Sequence, residues 1–166
     1  MTTIPTVNET RQYAEPSRLK TIAWVGLLAG TLDISFACLQ VYIMRGTTPE
    51  IVLRYIASGA FGKAAFSGGW GMPLVGLLFH YIIAYSFTIL FFILYPAIRV
   101  MSKSVVATAI VYGIFIFVVM NLLVVPLTKI PASTFHLDKA LMATAILIVA
   151  IGLPLSFFAR KFYPKD

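Results

Sequence analysis

Charged residues are scarce in this chain. Of its 166 residues only 11% are Asp, Glu, Lys or Arg, whereas 60% are hydrophobic. A soluble domain carries roughly 25% charged residues, so a lipid bilayer is the expected solvent for most of the chain. The 13 basic residues outnumber the 6 acidic ones, but they stand singly or in pairs beside apolar segments. That placement favours anionic lipid headgroups over nucleic acid as the partner.

Cysteine, histidine and nucleophile motifs are also scarce. Cys38 is the only cysteine and can form no internal disulfide. A haem with two axial histidines would need a second membrane-embedded histidine besides His80, and His136 falls in a predicted turn. The sequence has no H-E-x-x-H, G-x-S-x-G or P-loop motif. We therefore predict no cofactor and no metal, and a membrane-embedded enzyme is a minor alternative.

The apolar residues are gathered into four long segments. An α-helix needs about 20 apolar residues to cross the hydrocarbon core of a bilayer. The predicted transmembrane domain covers residues 21–160, with polar tails at 1–20 and 161–166. Its spans are predicted at 21–44, 73–98, 104–127 and 139–159. The predicted fold is all-α, an antiparallel bundle of four transmembrane helices.

A short helix is predicted between the first two spans. Thr48 is a suitable N-cap residue, Pro49 suits the first helical position, and Glu50 can pair with Arg54 one turn later. Glycines at 59 and 62 end the predicted helix near Ser58. The segment is interpreted either as an amphipathic helix at the membrane surface or as a re-entrant segment that covers a cavity. In both cases it should lie across one end of the bundle.

Polar residues inside the predicted spans are the candidate functional residues. An aspartate at the bilayer centre costs about 2.5–3.5 kcal/mol even on the most lenient insertion scale, and Asp33 falls near the middle of span 1. His80, Gln40 and Asn121 fall in the same half of the membrane in spans 2, 1 and 3, counted at about 1.5 Å per residue. We predict one ligand- or ion-binding site formed by Asp33, Gln40, His80 and Asn121. The alternative is that these groups only form hydrogen bonds between helices.

The distribution of Lys and Arg predicts the orientation. With the N-terminus in the cytoplasm, eight of these residues fall on the cytoplasmic side and five on the other side. Positive residues accumulate in cytoplasmic loops. Both termini are therefore predicted to be cytoplasmic.

Several short motifs are spread along the predicted bundle. They are Gly26-Leu-Leu-Ala-Gly-Thr-Leu-Asp33, Ile56-Ala-Ser-Gly59, Gly68-Gly69, His80-Tyr-Ile-Ile-Ala84, Met120-Asn121 and Val125-Pro126-Leu127. In these motifs the chain resembles a set of small four-span bacterial inner-membrane proteins of unassigned biochemical function. It is also similar, more faintly, to the YagU-like family in its His-led second span and in a third span that closes on Pro-Leu. The resemblance implies four helices in a bacterial inner membrane and supplies no reaction.

Two functions are consistent with this pattern. The first is a permease, channel or transport subunit for a proton, an ion or a small solute, with a polar site between the helices. The second is a structural or assembly partner of other membrane proteins, or a homo-oligomer, whose small-residue stripes dock onto neighbouring helices. Convergence of Asp33 and His80 would favour the first function.

Overall fold

A computed structural model describes residues 18–101, 104–130 and 136–163. The regular structure of these residues is entirely helical. The α-helices are α1 (Arg18–Arg45), α2 (Pro49–Phe61), α3 (Ala64–Ser67), α4 (Gly71–Met101), α5 (Val105–Val119), α6 (Leu137–Leu147) and α7 (Leu153–Phe162). Two π-helical turns, Met120–Val124 and Ile148–Gly152, and a 3₁₀ turn, Val125–Leu127, complete them.

Four helical segments are long and apolar enough to cross a membrane. These spans run over Leu19–Arg45, Gly71–Ala97, Val105–Leu127 and Leu137–Phe162. The predicted four-span all-α fold is confirmed, and no predicted span end differs from the observed one by more than three residues. The described parts of both predicted tails are mostly helical. Residues 1–17 and 164–166 of those tails lie outside the described residues.

Span 1 packs against both span 2 and span 4, and span 3 lies along span 4. The buried apolar core lies toward the end of the bundle where the two described ends of the chain meet, and includes Val25, Phe91, Tyr112, Ile116 and Leu155. His80 and Asn121 therefore lie toward the other half of the membrane, and Asp33 lies near the middle of span 1.

Glycines permit the closest approaches between helices. A β-carbon on Gly30 would lie 3.1–3.2 Å from the Tyr81 ring and from Ala84, so α1 and α4 are in close contact there. A β-carbon on Gly152 would lie 2.5 Å from the backbone oxygen of Ala109. Small residues allow such backbone approach in membrane bundles, where no hydrophobic force drives helices together. The positions of the glycines therefore fix how the helices face one another.

Each π-helical turn comes just before a proline. The Val125 N–H donates to the Met120 carbonyl and the Leu153 N–H to the Ile148 carbonyl, in place of the usual i→i−4 bonds. Pro126 and Pro154 follow these donors and have no N–H of their own. Two consecutive carbonyls in each span consequently lose their usual helical donors. The helices continue through this irregularity, as π turns in membrane helices commonly allow.

Helices α2 and α3 form a compact hairpin that is held together by Arg54. Its guanidinium pairs with Glu50 at 2.8 Å, as predicted. It also donates to the carbonyl oxygens of Ala65, at 2.9 Å, and Gly68, at 2.6 Å. These carbonyls lie at the end of α3, where no further helical N–H is present to bond them. A single side chain therefore closes the hairpin.

The hairpin packs mainly against the beginning of α4. The Leu53 backbone faces Gly76 without room for a side chain, and the Phe61 and Phe79 rings stack 6.4 Å apart. At the same C-terminal end, α2 reaches the turn between spans 3 and 4, where the Lys129 N–H donates to the Gly59 carbonyl over 2.8 Å. The hairpin thus crosses the end of the bundle that is remote from the core.

Helix α2 turns part of its apolar surface outward. Ile51 and Tyr55 are exposed, whereas Ala57 is fully buried. Helix α2 is apolar on most sides, so its pattern alone could not identify the buried face. The predicted helix also ended at Ser58, but α2 continues through Gly59 to Phe61.

Removing the Arg54 guanidinium is expected to open the hairpin. Arg54→Met keeps the length of the side chain but leaves the Ala65 and Gly68 carbonyls without their donor. The loss of hydrogen bonds to a charged group costs about 1.5–3 kcal/mol, reduced here because Arg54 is partly exposed. Amide hydrogen exchange in residues 63–70 should accelerate about tenfold.

Arg45→Met is the matched control for this experiment. It removes the same charge from the exposed last turn of α1. Exchange in residues 63–70 should remain at the wild-type rate. Equal exchange in both variants would show that Arg54 does not hold the hairpin closed.

Candidate functional site

His80 is the first component of the site. It lies on the buried face of α4, and its Nε2 is 2.8 Å from the Gly30 carbonyl oxygen of α1. A carbonyl oxygen can only accept a hydrogen bond, so Nε2 carries a hydrogen in the neutral and in the charged ring. The nitrogen that gains or loses a proton is therefore Nδ1. The glycine lets the histidine reach the backbone of the neighbouring helix.

Asp33 lies one turn after Gly30 on the same helix. Its side chain is partly buried, and the contact of His80 with the Gly30 carbonyl brings the imidazole into its neighbourhood. Within residues 18–101, 104–130 and 136–163, it accepts no hydrogen bond and forms no ion pair with N···O of 4.0 Å or less. The two groups that can exchange a proton in this part of the bundle are thus brought together.

A row of tyrosine hydroxyls accompanies the His80 contact along α1 and α4. The Tyr81 hydroxyl is 2.9 Å from Thr31 Oγ1, and the Tyr85 hydroxyl donates to the Ala23 carbonyl over 2.9 Å. Sequence reasoning missed this row. The signal was present, because Tyr81 and Tyr85 are spaced like the two glycines, Gly26 and Gly30, against which their rings pack. Together with His80 they fix the rotation of α4 against α1.

Gln40 is turned toward a different helix. Its side-chain amide donates to the Met142 sulfur of α6 over 2.9 Å and lies 3.9 Å from the Met44 sulfur. These contacts join span 1 to span 4, about two turns beyond Asp33. Gln40 thus makes an interhelical contact of its own, as the packing alternative predicted for such residues.

Asn121 is exposed and lies on the surface of span 3. Its Nδ2 donates to the Phe117 carbonyl one turn earlier in the same span. The π turn that contains it has at most slight contact with α1 or α4. The structure therefore does not bring Asn121 to the Asp33–His80 pair. Helix packing is the physical reason: span 3 lies along span 4 and has at most slight contact with span 1, so the depth that was used to place Asn121 does not bring it to the pair.

Two buried hydroxyls among the described residues, those of Thr47 and Ser156, have no hydrogen-bond partner. Ser156 in α7 is almost completely buried within the bundle. Buried hydroxyls normally have a partner or a water molecule. Sequence reasoning did not select Ser156 as a candidate site residue.

The chemistry of the pair is that of proton exchange. Asp33 can hold a proton on either carboxylate oxygen and His80 can hold one on Nδ1, while Nε2 stays bonded to Gly30. The described residues contain no group of three or more His, Cys, Asp or Glu side chains that could hold a metal ion. The two side chains of the pair are suited to binding and releasing a proton.

Comparison with known protein families, with curated proteins and with solved structures found no match to this chain. The fold and the composition define the class directly. The chain is a multi-pass membrane protein with four helical spans, and its candidate site lies within the membrane between spans 1 and 2.

Proposed function

We propose that this protein is a small permease, channel or transport subunit that moves a proton, or a solute together with a proton, through the Asp33–His80 site. The membrane, following the resemblance described above, is a bacterial inner membrane, and both termini lie in the cytoplasm. The proposal depends chiefly on one observation: inside the membrane, His80 contacts the Gly30 carbonyl of span 1, three residues before Asp33.

The energetic argument supports a working site over simple packing. An aspartate near the centre of a span costs about 2.5–3.5 kcal/mol. A single hydrogen bond between membrane helices returns only about 0.6 kcal/mol on average, and Asp33 forms none with the described residues. Packing therefore does not offset the cost of Asp33. A role in proton exchange with its neighbour would explain why a residue with this insertion cost stands inside the span.

The proton step follows from the geometry of His80. With Nε2 held by the Gly30 carbonyl, the ring receives a proton at Nδ1 and passes it on from the same atom. Asp33 is the second acid–base group of the site, one turn beyond the carbonyl that His80 contacts.

Access to the pair is from the end of the bundle that the α2–α3 hairpin crosses. The apolar core fills the other half of the membrane. The hairpin packs against α4 next to His80, with Phe61 stacked on Phe79. We infer that the hairpin covers the entrance to the site on this side.

Asp33→Asn is the direct test of the proposal. Asparagine keeps the shape and most of the hydrogen-bonding capacity of aspartate but cannot bind or release the proton. In liposomes that contain a pH-sensitive dye, proton flux driven by a pH gradient should fall at least tenfold. Thermal unfolding in detergent should change little, because Asp33 makes no hydrogen bond with described residues that asparagine would lose.

Asp138→Asn is the control, since Asp138 is exposed in the first turn of α6. Its flux should equal that of the wild type. Full flux in Asp33→Asn would end the proton-site proposal. Wild-type protein that carries no flux would also contradict it, and Asp33→Leu would then show by its stability whether Asp33 serves packing.

The assembly alternative is supported by span 3. This span is covered least by the rest of the bundle, and it exposes Leu122, Leu123 and the polar Asn121. A polar amide on a lipid-facing surface suits contact with another transmembrane helix. A second copy of this chain or another membrane protein could occupy that surface without altering the Asp33–His80 site.

A further inference from the structure

The outer surface of the α2–α3 hairpin is unusually apolar for a segment between two spans. Large apolar side chains are exposed along its whole length, and Trp70 at its end is 88% exposed. The others are Ile51, Tyr55, Phe61 and Phe66. Several large apolar side chains exposed on one short segment indicate a partner or a membrane.

Two lysines from different parts of the chain lie beside this surface. Lys63 follows the turn at Gly62, and a β-carbon on Gly62 would lie 3.8 Å from the Lys129 side chain. The bond from the Lys129 N–H to the Gly59 carbonyl, 2.8 Å long, holds the two segments together. Both lysines are exposed, and neither forms an ion pair with the described residues.

The charge of the hairpin is therefore distributed unevenly. Glu50 is already paired with Arg54, whose guanidinium is bonded within the hairpin. Lys63 and Lys129 consequently present their charges to the surroundings without a matching carboxylate. A surface with free positive charge beside apolar side chains fits a partner that is negatively charged and apolar at once.

The position of the hairpin identifies such a partner. The hairpin follows the end of span 1 at Arg45, precedes the start of span 2 at Gly71, and packs on the first two turns of α4, at Gly76 and Phe79. It is therefore held at the depth where span 2 enters the membrane. Tryptophan and tyrosine concentrate at this depth, because their rings are apolar and their N–H or O–H groups polar.

We propose that the α2–α3 hairpin is a lipid-binding surface for the leaflet on its side of the membrane. The phosphate of an anionic phospholipid lies against Lys63 and Lys129, and Phe66 and Trp70 enter the boundary between headgroups and acyl chains. The surface is continuous with the lipid-facing ends of spans 1 and 2. This inference does not depend on the proposed transport function.

The chain contains two tryptophans, which makes a direct test possible. Trp24→Phe leaves Trp70 as the only tryptophan. Phe66→Trp, with Trp24 and Trp70 both replaced by phenylalanine, places one reporter on α3. Each protein is reconstituted into phosphatidylcholine vesicles with and without phosphatidylglycerol. Its fluorescence is then quenched by acrylamide from the water or by brominated lipid from the bilayer.

Both reporters should be quenched strongly by brominated lipid and weakly by acrylamide. Brominated phosphatidylglycerol should quench them more than brominated phosphatidylcholine at the same fraction, since each lysine near the surface enriches anionic lipid about fivefold. Lys63→Gln together with Lys129→Gln should remove this preference. Trp24 lies near the other end of span 1 and serves as a control reporter in the Trp70→Phe protein. The same pair of lysine substitutions should not alter the lipid preference measured at Trp24.

Two outcomes would overturn the proposal. Strong acrylamide quenching of the Phe66→Trp reporter would place the hairpin in water, as a solvated loop or a docking site for a soluble partner. Equal quenching by the two brominated lipids in the protein with both lysines would exclude the phosphate contact. Unchanged thermal unfolding of the double lysine variant would show that a lost preference is not caused by unfolding.

Discussion

Replacing Gly76 by alanine is expected to displace α2 from α4 and to reduce the free energy of unfolding by about 3 kcal/mol, the upper range for an overpacked contact. The new methyl group would overlap the Leu53 carbonyl oxygen and lie 2.7 Å from its carbonyl carbon. Both partners are helix backbone, so no side-chain rotation can relieve the overlap. Alanine is otherwise preferred over glycine in a helix by about 1 kcal/mol, so a loss of stability would isolate the cost of the contact.

Two measurements check this expectation. Thermal unfolding in detergent gives the change in stability. Thiol labelling of Ser58→Cys, in a Cys38→Ser background, reports whether α2 has moved, because Ser58 is buried. The thiol of Ser58→Cys should be labelled slowly in the protein that keeps Gly76 and rapidly in the protein that also carries Gly76→Ala.

Gly71→Ala is the control for Gly76→Ala. Gly71 is the first residue of α4, and a β-carbon there would meet nothing within 4 Å. Its unfolding temperature should stay the same or rise slightly. A stable Gly76→Ala protein with Ser58→Cys still protected would show that α2 does not rest on α4 as described.

The four spans could be predicted because their signal is long and redundant. Twenty or more apolar residues in succession leave few alternatives, and the flanking charges mark both ends. The helix between spans 1 and 2 was also predictable in existence, from Thr48, Pro49 and Glu50. Its orientation was not, because α2 is apolar on most sides and the close approach at Gly76 determines which face is buried.

The candidate site was predictable only in part, for a related reason. Depth in the membrane can be counted from the sequence, and His80 contacts the backbone of span 1 three residues before Asp33. That these residues form one site stays a prediction. The rotation of each helix about its own axis, which determines the neighbouring helix that a side chain faces, cannot be counted from the sequence in the same way. Gln40 is at a suitable depth but is turned toward Met142 on span 4.

The π turns add a second source of error in rotation. An extra residue in one turn rotates everything after it by about 100° relative to an uninterrupted α-helix. Asn121 lies within such a turn, and the proline two residues after that turn is its visible cause in the sequence. The repeated pattern of a π turn before a Pro-Leu pair, at Pro126 and Pro154, could have indicated where helical spacing fails.

Replacing Gly152 by alanine is the second substitution for which a large loss of stability is expected. Spans 3 and 4 approach each other most closely where Gly152 faces Ala109 and Gly113 faces Ile148. A β-carbon on Gly152 would lie 2.5 Å from the Ala109 carbonyl oxygen and 3.1 Å from its Cα. The π turn ends at Gly152 and α7 begins directly after it, so separating the helices also disturbs the buried residues Leu155 and Ala159.

We expect Gly152→Ala to lower stability by about 2 kcal/mol, measured by thermal unfolding in detergent. Gly69→Ala, where a β-carbon would meet nothing within 4 Å, should have no such effect. The combination of Gly152→Ala with Ala109→Gly makes the test specific. The clashing atoms of Ala109 belong to its backbone, so removing its methyl group should not restore stability. Recovery in the double variant would mean that side chains, and not the close approach of two backbones, set the distance between spans 3 and 4.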